Sequence, residues 1–176
     1  MIKNRTALAK YFNELGFKYG AEIGVCFGRY SEILCQNIPG LKLIAVDSWN
    51  NKKNVTGEKN TKIKLAPYNA LVVKSNSMDA LKYVENDRLD FVFIDADHNY
   101  DSVSDDIREW SKKVRAGGIV SGHDYYVFEN SGNRGVVDAV DDYVKNHGIE
   151  LFTTSWDRKN PESDDRQPCW YFFKKQ

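Results

Sequence analysis

The chain reads as an α/β protein: a doubly wound, mostly parallel seven-stranded sheet with an antiparallel hairpin at one edge and helices on both faces. Three observations predict this. Short apolar runs alternate with helix-period stretches along most of the 176 residues, which implies parallel strands joined by right-handed crossovers. The fourth run, Leu89 to Asp95, is nearly continuous in apolar character, as a strand covered on both faces must be. The last two runs have no helix between them, and strands joined by a loop alone pair antiparallel.

Element by element, the first 17 residues predict a helix, with Leu8, Phe12 and Leu15 at helical spacing and Gly16 as its stop. Tyr19 to Val25 is the first strand. Tyr30 to Ile38 is a helix closed by Pro39-Gly40, and Leu41 to Trp49 is the second strand. Residues 50–69 are Lys- and Asn-rich and poorly periodic; they could hold a short helix, but a loop or lid is expected there. Leu71 to Ser75 is the third strand and Asp79 to Val84 a short helix. After the fourth strand, Val103, Ile107, Trp110 and Val114 form an amphipathic stripe, with Ser102 as the expected cap and Gly117-Gly118 as the expected end. Ile119 to Gly122 is the fifth strand and Val136 to Val144 the last helix. Ile149 to Thr154 and Trp170 to Lys174 complete the sheet, joined by a polar loop containing Pro161 and Pro168.

Lys plus Arg is 25 and Asp plus Glu is 25, so bulk charge gives no support for nucleic-acid or anionic-membrane binding. Lys52, Lys53, Lys59, Lys62 and Lys64 cluster, but a charge run of this kind is ordinarily a solvated face. Three cysteines without CxxC spacing argue against a disulfide framework or thiolate zinc site. With no apolar signal segment or membrane-length run, a cytoplasmic protein is expected.

The chemistry sits at the strand ends, because ligands of a doubly wound sheet bind outside the carboxyl ends of its strands. The first strand runs into a turn carrying Glu22, Gly24 and Gly28. Glycine there admits close backbone approach, and the following helix offers free N–H groups. The spacing is GxxxG rather than GxGxxG, and the preceding acid suits an ammonium or sulfonium better than a pyrophosphate. The second strand ends in Asp47-Ser48, placing a carboxylate to accept ribose hydroxyls. Asn76 or Ser77, after the third strand, could hydrogen-bond an adenine edge, and Ser77 suits helix capping as well. The fourth and fifth strands both end in acid–His pairs: Asp95 with His98, and His123 with Asp124. Such a constellation suits a shared divalent cation or a general base.

The order Glu22-x-Gly24-x-x-x-Gly28, Asp47, Phe93-Ile-Asp95-Ala-Asp97-His98-x-Tyr100, Asp106-Ile-x-x-Trp110 and Gly117-Gly-Ile-Val-Ser-Gly-His123-Asp124 resembles the class I S-adenosylmethionine-dependent methyltransferases. It is most similar to the small group related to macrocin-type sugar O-methyltransferases and cephalosporin hydroxylase, and more distantly to catechol O-methyltransferase. The likeness covers about residues 18–150 and departs from the commoner GxGxG turn at Cys26. It implies that Glu22 and Gly24 line the methionine part of the cofactor, that Asp47 holds the ribose, and that Asn76 and Ser77 lie near the adenine. Asp95 would face the methionine end or a metal. Asp95 and Asp124 match two of the magnesium ligands of metal-dependent relatives. The third position does not match cleanly, since His123 precedes Asp124 and Tyr125 follows it.

The expected activity is O-methylation of a small hydroxylated acceptor such as a sugar, with His98 or His123 as base and Asp95 with Asp124 as an optional site for a divalent cation such as magnesium. The rivals are a nicotinamide oxidoreductase, a metal-dependent hydroxylase-like enzyme on the same fold, and a non-catalytic cofactor-binding module. Residues 1–176 are read as one domain, with lid candidates at 50–69, 126–134 and 156–168. Trp49, Tyr125, Tyr126, Phe128 and Trp156 are candidates for an acceptor pocket, which a second copy in a homo-oligomer could complete.

Overall fold

The computed structural model describes residues 2–50, 56–156, 159 and 166–175. Lys52, Lys53, Pro161 and most of the 156–168 lid candidate lie outside the described residues. The strands are β1 (Tyr19–Ile23), β2 (Lys42–Asp47), β3 (Ala70–Lys74), β4 (Leu89–Ile94), β5 (Val114–Gly122), β6 (Phe152–Thr153) and β7 (Trp170–Phe173). They form one seven-stranded sheet in the order β3-β2-β1-β4-β5-β7-β6. The first five are parallel; β7 runs antiparallel to both β5 and β6. Strand order reverses between β1 and β4, which is where a doubly wound sheet opens a ligand crevice.

Strand alternation divides the core into two layers. Phe91 and Phe93 of β4 face helices α1 (Arg5–Glu14) and α2 (Arg29–Asn37), joining Phe12, Tyr30 and Leu34. Val92 and Ile94 face the opposite way, toward α5 (Tyr100–Ser111) and α6 (Gly135–Asn146), joining Val103, Ile107, Trp110 and Val140. Glu22 lies between Ala21 and Ile23, which belong to the α5–α6 layer. By the same period-two rule its side chain enters the α1–α2 layer, where it is 1% exposed.

Several boundaries differ from expectation, each for a local reason. The 50–69 segment contains helix α3 (Gly57–Leu65). Its buried stripe is Gly57, Thr61 and Leu65, so two of its three inward residues carry no apolar signal. Helix α5 stops at Ser111, and Val114 instead begins β5, fully buried. Gly117-Gly118 therefore lies inside β5, where the pairing with β4 shifts register between Leu89 and Phe91. A Cβ at Gly118 would come within 2.5 Å of the Asp90 carbonyl oxygen. The cap of α5 is Asn99, whose side chain accepts from the Ser102 N–H at 3.0 Å. The short helix begins earlier than expected, as α4 (Ser77–Ala80), and continues as a single 3-10 turn, Leu81–Tyr83. Its cap is Asn76, not Ser77. Strand β6 is confined to two residues because only Phe152 and Thr153 reach β7 in register.

Candidate active site

The turn after β1 is built on backbone conformations that glycine tolerates best. Gly24 has φ +92°, and a Cβ there would lie 2.1 Å from the Asp95 carbonyl oxygen. The tips of β1 and β4 thus approach each other as closely as backbone allows. Cys26, in the middle of the turn, has φ 55° and is held from both sides. Its N–H donates to Asp47 Oδ2 at 2.8 Å, and its carbonyl accepts from the Trp49 indole N–H at 2.7 Å. Asp47 also accepts from the Trp49 N–H at 2.7 Å. The carboxylate expected to bind ribose therefore also ties the β2 tip to the glycine turn. Trp49, an acceptor-pocket candidate from sequence, is buried and serves as this brace.

Above the tips of β1, β2 and β4 lies a cleft of about 770 Å³. Gly24, Asp47, Ser48, Asn76, Ser77 and Asp95 all line it, so six of the expected cofactor residues meet in one cavity. Gly28 caps the start of α2 at φ +74° and packs against Thr61 of α3. Glu22 is absent from the lining of this cleft; it borders a second one, of about 630 Å³, together with His98, His123 and Asp124. Gly24, Cys26, Asp95 and His98 belong to both. Two cavities thus join at the tips of β1 and β4.

At that junction the acid–His pairs converge. His98 Nε2 lies 2.8 Å from Asp124 Oδ2, and His123 Nδ1 lies 3.2 Å from Asp124 Oδ1 and 3.7 Å from Asp95 Oδ2. Burial opposes ionisation of Asp124, but the bonds from His123 and His98 outweigh it and hold the carboxyl far below its usual range. The Asp124 bond raises the His98 pKa. Burial works against a charged His123, yet the charges of Asp95 and Asp124 raise its pKa as well. Burial pushes the Asp95 carboxyl up, while His123 and Arg5 pull it down. Arg5 reaches in from α1, its guanidinium 3.8 Å from Asp95 and stacked over the Tyr30 ring. The two histidines are not equivalent: the His98 side chain is 38% exposed and that of His123 only 7%.

Ligand atoms of Asp95, His98 and Asp124 lie within 4.8 Å of one another, a spacing one cation can bridge. Two carboxylates and an imidazole suit a divalent transition ion better than magnesium, which prefers oxygen.

The residues that follow β3 show what sequence reasoning missed. Ser77 is not a cap: its hydroxyl donates to Asp106 Oδ1 and accepts from the Trp110 indole N–H at 2.8 Å. Asp106 is 4% exposed and lines the larger cleft. Burial raises its pKa to about 6, against the Ser77 bond. Asp106 and Trp110 had a signal in the sequence, as members of the resembling motif, but no chemistry could be attached to them before α4 and α5 were seen to touch. Glu22 is likewise shaped by its surroundings. It accepts from the Ser31 hydroxyl, and burial raises its pKa to about 8.

Outside the junction, Tyr126 contacts Phe128 and Trp156 at ring-centroid distances of 4.5 and 5.0 Å, and Phe128 meets His98 edge-on at 5.4 Å. Tyr125 turns away and donates to Asp141 at 2.5 Å. Among the described residues no helix is long and apolar enough to cross a membrane.

A family model described as a methyltransferase domain matches residues 21–125, the span that builds the cleft. Among solved structures, the cofactor-bound Rv0187 from MTB superposes with a TM-score of 0.73 at 15% identity, covering 98% of this chain and 80% of that one. The O-methyltransferase from Bacillus cereus, in complex with SAH, gives 0.71 at 16% identity over 97% and 80%. The O-methyltransferase TomG from Streptomyces achromogenes, in complex with SAM and involved in tomaymycin synthesis, gives 0.70 at 13% identity over 96% and 78%. No curated protein matches the chain in sequence.

Proposed function

The chain belongs to the methyltransferase-domain family, and from that premise we propose that it transfers the methyl group of S-adenosylmethionine to a hydroxyl of a small-molecule acceptor. The observation that carries this reading is the junction. The cleft lined by Asp47 meets a second cavity at Asp95 and His98, with an acid–His pair between them. The O-methyltransferases among the structural neighbours support the same choice of acceptor atom.

In this reading the nucleoside occupies the larger cleft. Asp47 accepts from the ribose hydroxyls beside Ser48, the Asn76–Ser77 segment flanks the adenine, and the methionine part passes over Gly24 and Gly28 toward Glu22 and Asp95. Methyl transfer from a sulfonium is an in-line displacement, so the protein must chiefly align the acceptor oxygen and remove its proton. His98 is the better base, because it is accessible and its Nδ1 has no protein partner among the described residues. Asp124 fixes the imidazole through Nε2, and His123 orients Asp124 from beneath. Should a divalent cation bind, Asp95, His98 and Asp124 would hold it, and it would supply Lewis-acid stabilisation of the alkoxide. Tyr126 borders the second cavity, where the acceptor would sit, and Phe128 and Trp156 pack against it.

Calorimetry with S-adenosylhomocysteine tests the cofactor; absence of binding to the wild-type protein would sink the assignment. Turnover across a panel of hydroxylated acceptors tests the base. His98→Ala is expected to lose about 10²–10⁴-fold, the usual contribution of a general base, and His123→Ala less. Full turnover in both variants would remove the histidines from the mechanism.

A further inference from the structure

Polar atoms sealed inside a protein are almost always hydrogen-bonded, so the exceptions carry information. Among the described residues, His123 Nε2 and Trp170 Nε1 are buried and have no hydrogen-bond partner. His123 is 7% exposed and Trp170 1%. Both residues line one small cavity of about 10 Å³, walled also by Ile94 of β4, Val103 of α5 and Val136 of α6 and bordered by Asp95, Asp97 and His98. The strand register explains how they meet. Trp170 of β7 pairs with Gly122 of β5, and His123 is the next residue. A Cβ at Gly122 would lie 2.5 Å from Trp170 Cζ2, so only glycine there lets the indole lie against β5 beside His123.

Chemistry and volume together name the occupant. An indole N–H only donates, so it offers nothing to a cation. Asp95 and Asp97 border the space and disfavour an anion. A volume of about 10 Å³ is the room of one water molecule and of nothing larger. Water accepts from the indole and can serve an imidazole nitrogen as donor or acceptor, and such a bridge is nearly as good as a direct bond. We propose that a single water molecule is bound between Trp170 and His123, and that it makes Trp170 a positioning residue for the acid–His junction. The His123 imidazole is then held at both nitrogens. Nδ1 faces Asp124 at 3.2 Å, and Nε2 is tied through the water to the antiparallel edge of the sheet. From Asp124 the constraint passes to His98. Its bearing on catalysis rests on the methyl-transfer reading above; the water site itself does not.

A high-resolution crystal structure of the unliganded protein tests the site. The expected result is one ordered water within about 2.7–3.2 Å of both His123 Nε2 and Trp170 Nε1. Density for no water there, or for one that reaches only one of the two atoms, would overturn the proposal. Two variants test the positioning role. Trp170→Phe removes the donor and keeps a ring; Val136→Ile adds a carbon to the cavity wall and displaces the water with Trp170 intact. Both are expected to lower kcat on an acceptor that the wild type turns over, by about 10- to 10²-fold, as small misplacements of catalytic groups do, with KM for S-adenosylmethionine unchanged. Unchanged kcat, or a rise in KM alone, in a folded variant that has lost the water would confine Trp170 to packing. Should Trp170→Phe fail to fold, Val136→Ile decides alone. If the wild type turns over no acceptor, the methyl-transfer reading falls and the positioning role with it, while the crystal structure still decides the water site.

Discussion

Glu22 shows how far a single residue's role depends on its neighbours. From sequence it is an acid beside a glycine turn; in the fold it is fully enclosed, and burial raises its carboxyl to about 8, with the Ser31 bond and Arg5 opposing. Linkage makes this a stability statement. Between the ordinary glutamate value of 4.5 and about 8, the folded protein keeps a proton that the unfolded chain has released. Stability contributed by the neutral form is complete below the lower value and is lost as pH rises toward the upper one. At about 1.36 kcal/mol per unit, the loss across the window is on the order of 4–5 kcal/mol. Glu22→Gln keeps the shape and cannot ionise. Urea unfolding of the unliganded protein at pH 5 and pH 8 should show a fall in stability for wild type that is mostly absent in Glu22→Gln. Equal falls in the two proteins would mean that Glu22 is ionised at neutral pH. A neutral Glu22 also bears on function, because an ammonium or sulfonium placed above it would favour ionisation and release a proton on binding.

Helix α5 makes the corresponding point for an element. The run of Val103, Ile107 and Trp110 identified its inward face correctly, but its two ends were misread, and the reasons are physical. At the start, Ser102 and Asn99 are both good caps, and the choice depends on the Asp97 turn, which takes the Ser102 hydroxyl for itself. At the end, Gly117-Gly118 looks like a helix stop, yet the glycines are needed inside β5, where the pairing with β4 slips. Helix α3 left only a weak signal, a short helix second to a loop or lid, because it packs through glycine and threonine. Periodicity thus reports which face is buried, while ends and polar seams depend on partners distant in sequence. The strand tips were legible because a doubly wound sheet fixes where ligands bind before any side chain is placed. The Asp106–Ser77–Trp110 chain was not, since it joins residues 29 and 33 positions apart. Replacing the observed cap tests the corrected boundary: Asn99→Ala should cost about 1 kcal/mol in urea unfolding, as lost N-caps generally do. Ser102→Ala should cost less, since its hydroxyl only supports Asp97; the reverse order would restore Ser102 as the cap.

At the scale of the molecule, the sheet separates two core layers while its strand tips join two cavities. One layer holds Phe12, Phe91 and Phe93; the other holds Trp110, Trp170 and Phe172. The larger cleft draws on the tips of β1, β2 and β4 and on helices α4 and α5 of one layer, so a ligand bound there would clamp the strand tips to those two helices. Asp47 is central to this clamp, because its carboxylate ties the glycine turn to Trp49 even without ligand. Two separable effects follow. In the unliganded protein, Asp47→Ala should lower the melting temperature, since two N–H groups lose their acceptor. In the wild type, S-adenosylhomocysteine at a hundredfold excess over its Kd adds about 2.7 kcal/mol, or roughly 5–11 °C for a chain of this size. Losing hydrogen bonds from two ribose hydroxyls to a charged group costs about 2 kcal/mol or more, so the same concentration should leave the variant with less than about half of the wild-type shift. A variant that melts lower but keeps the full ligand-induced shift would confine Asp47 to bracing the turn, and the ribose would have to be held elsewhere in the cleft.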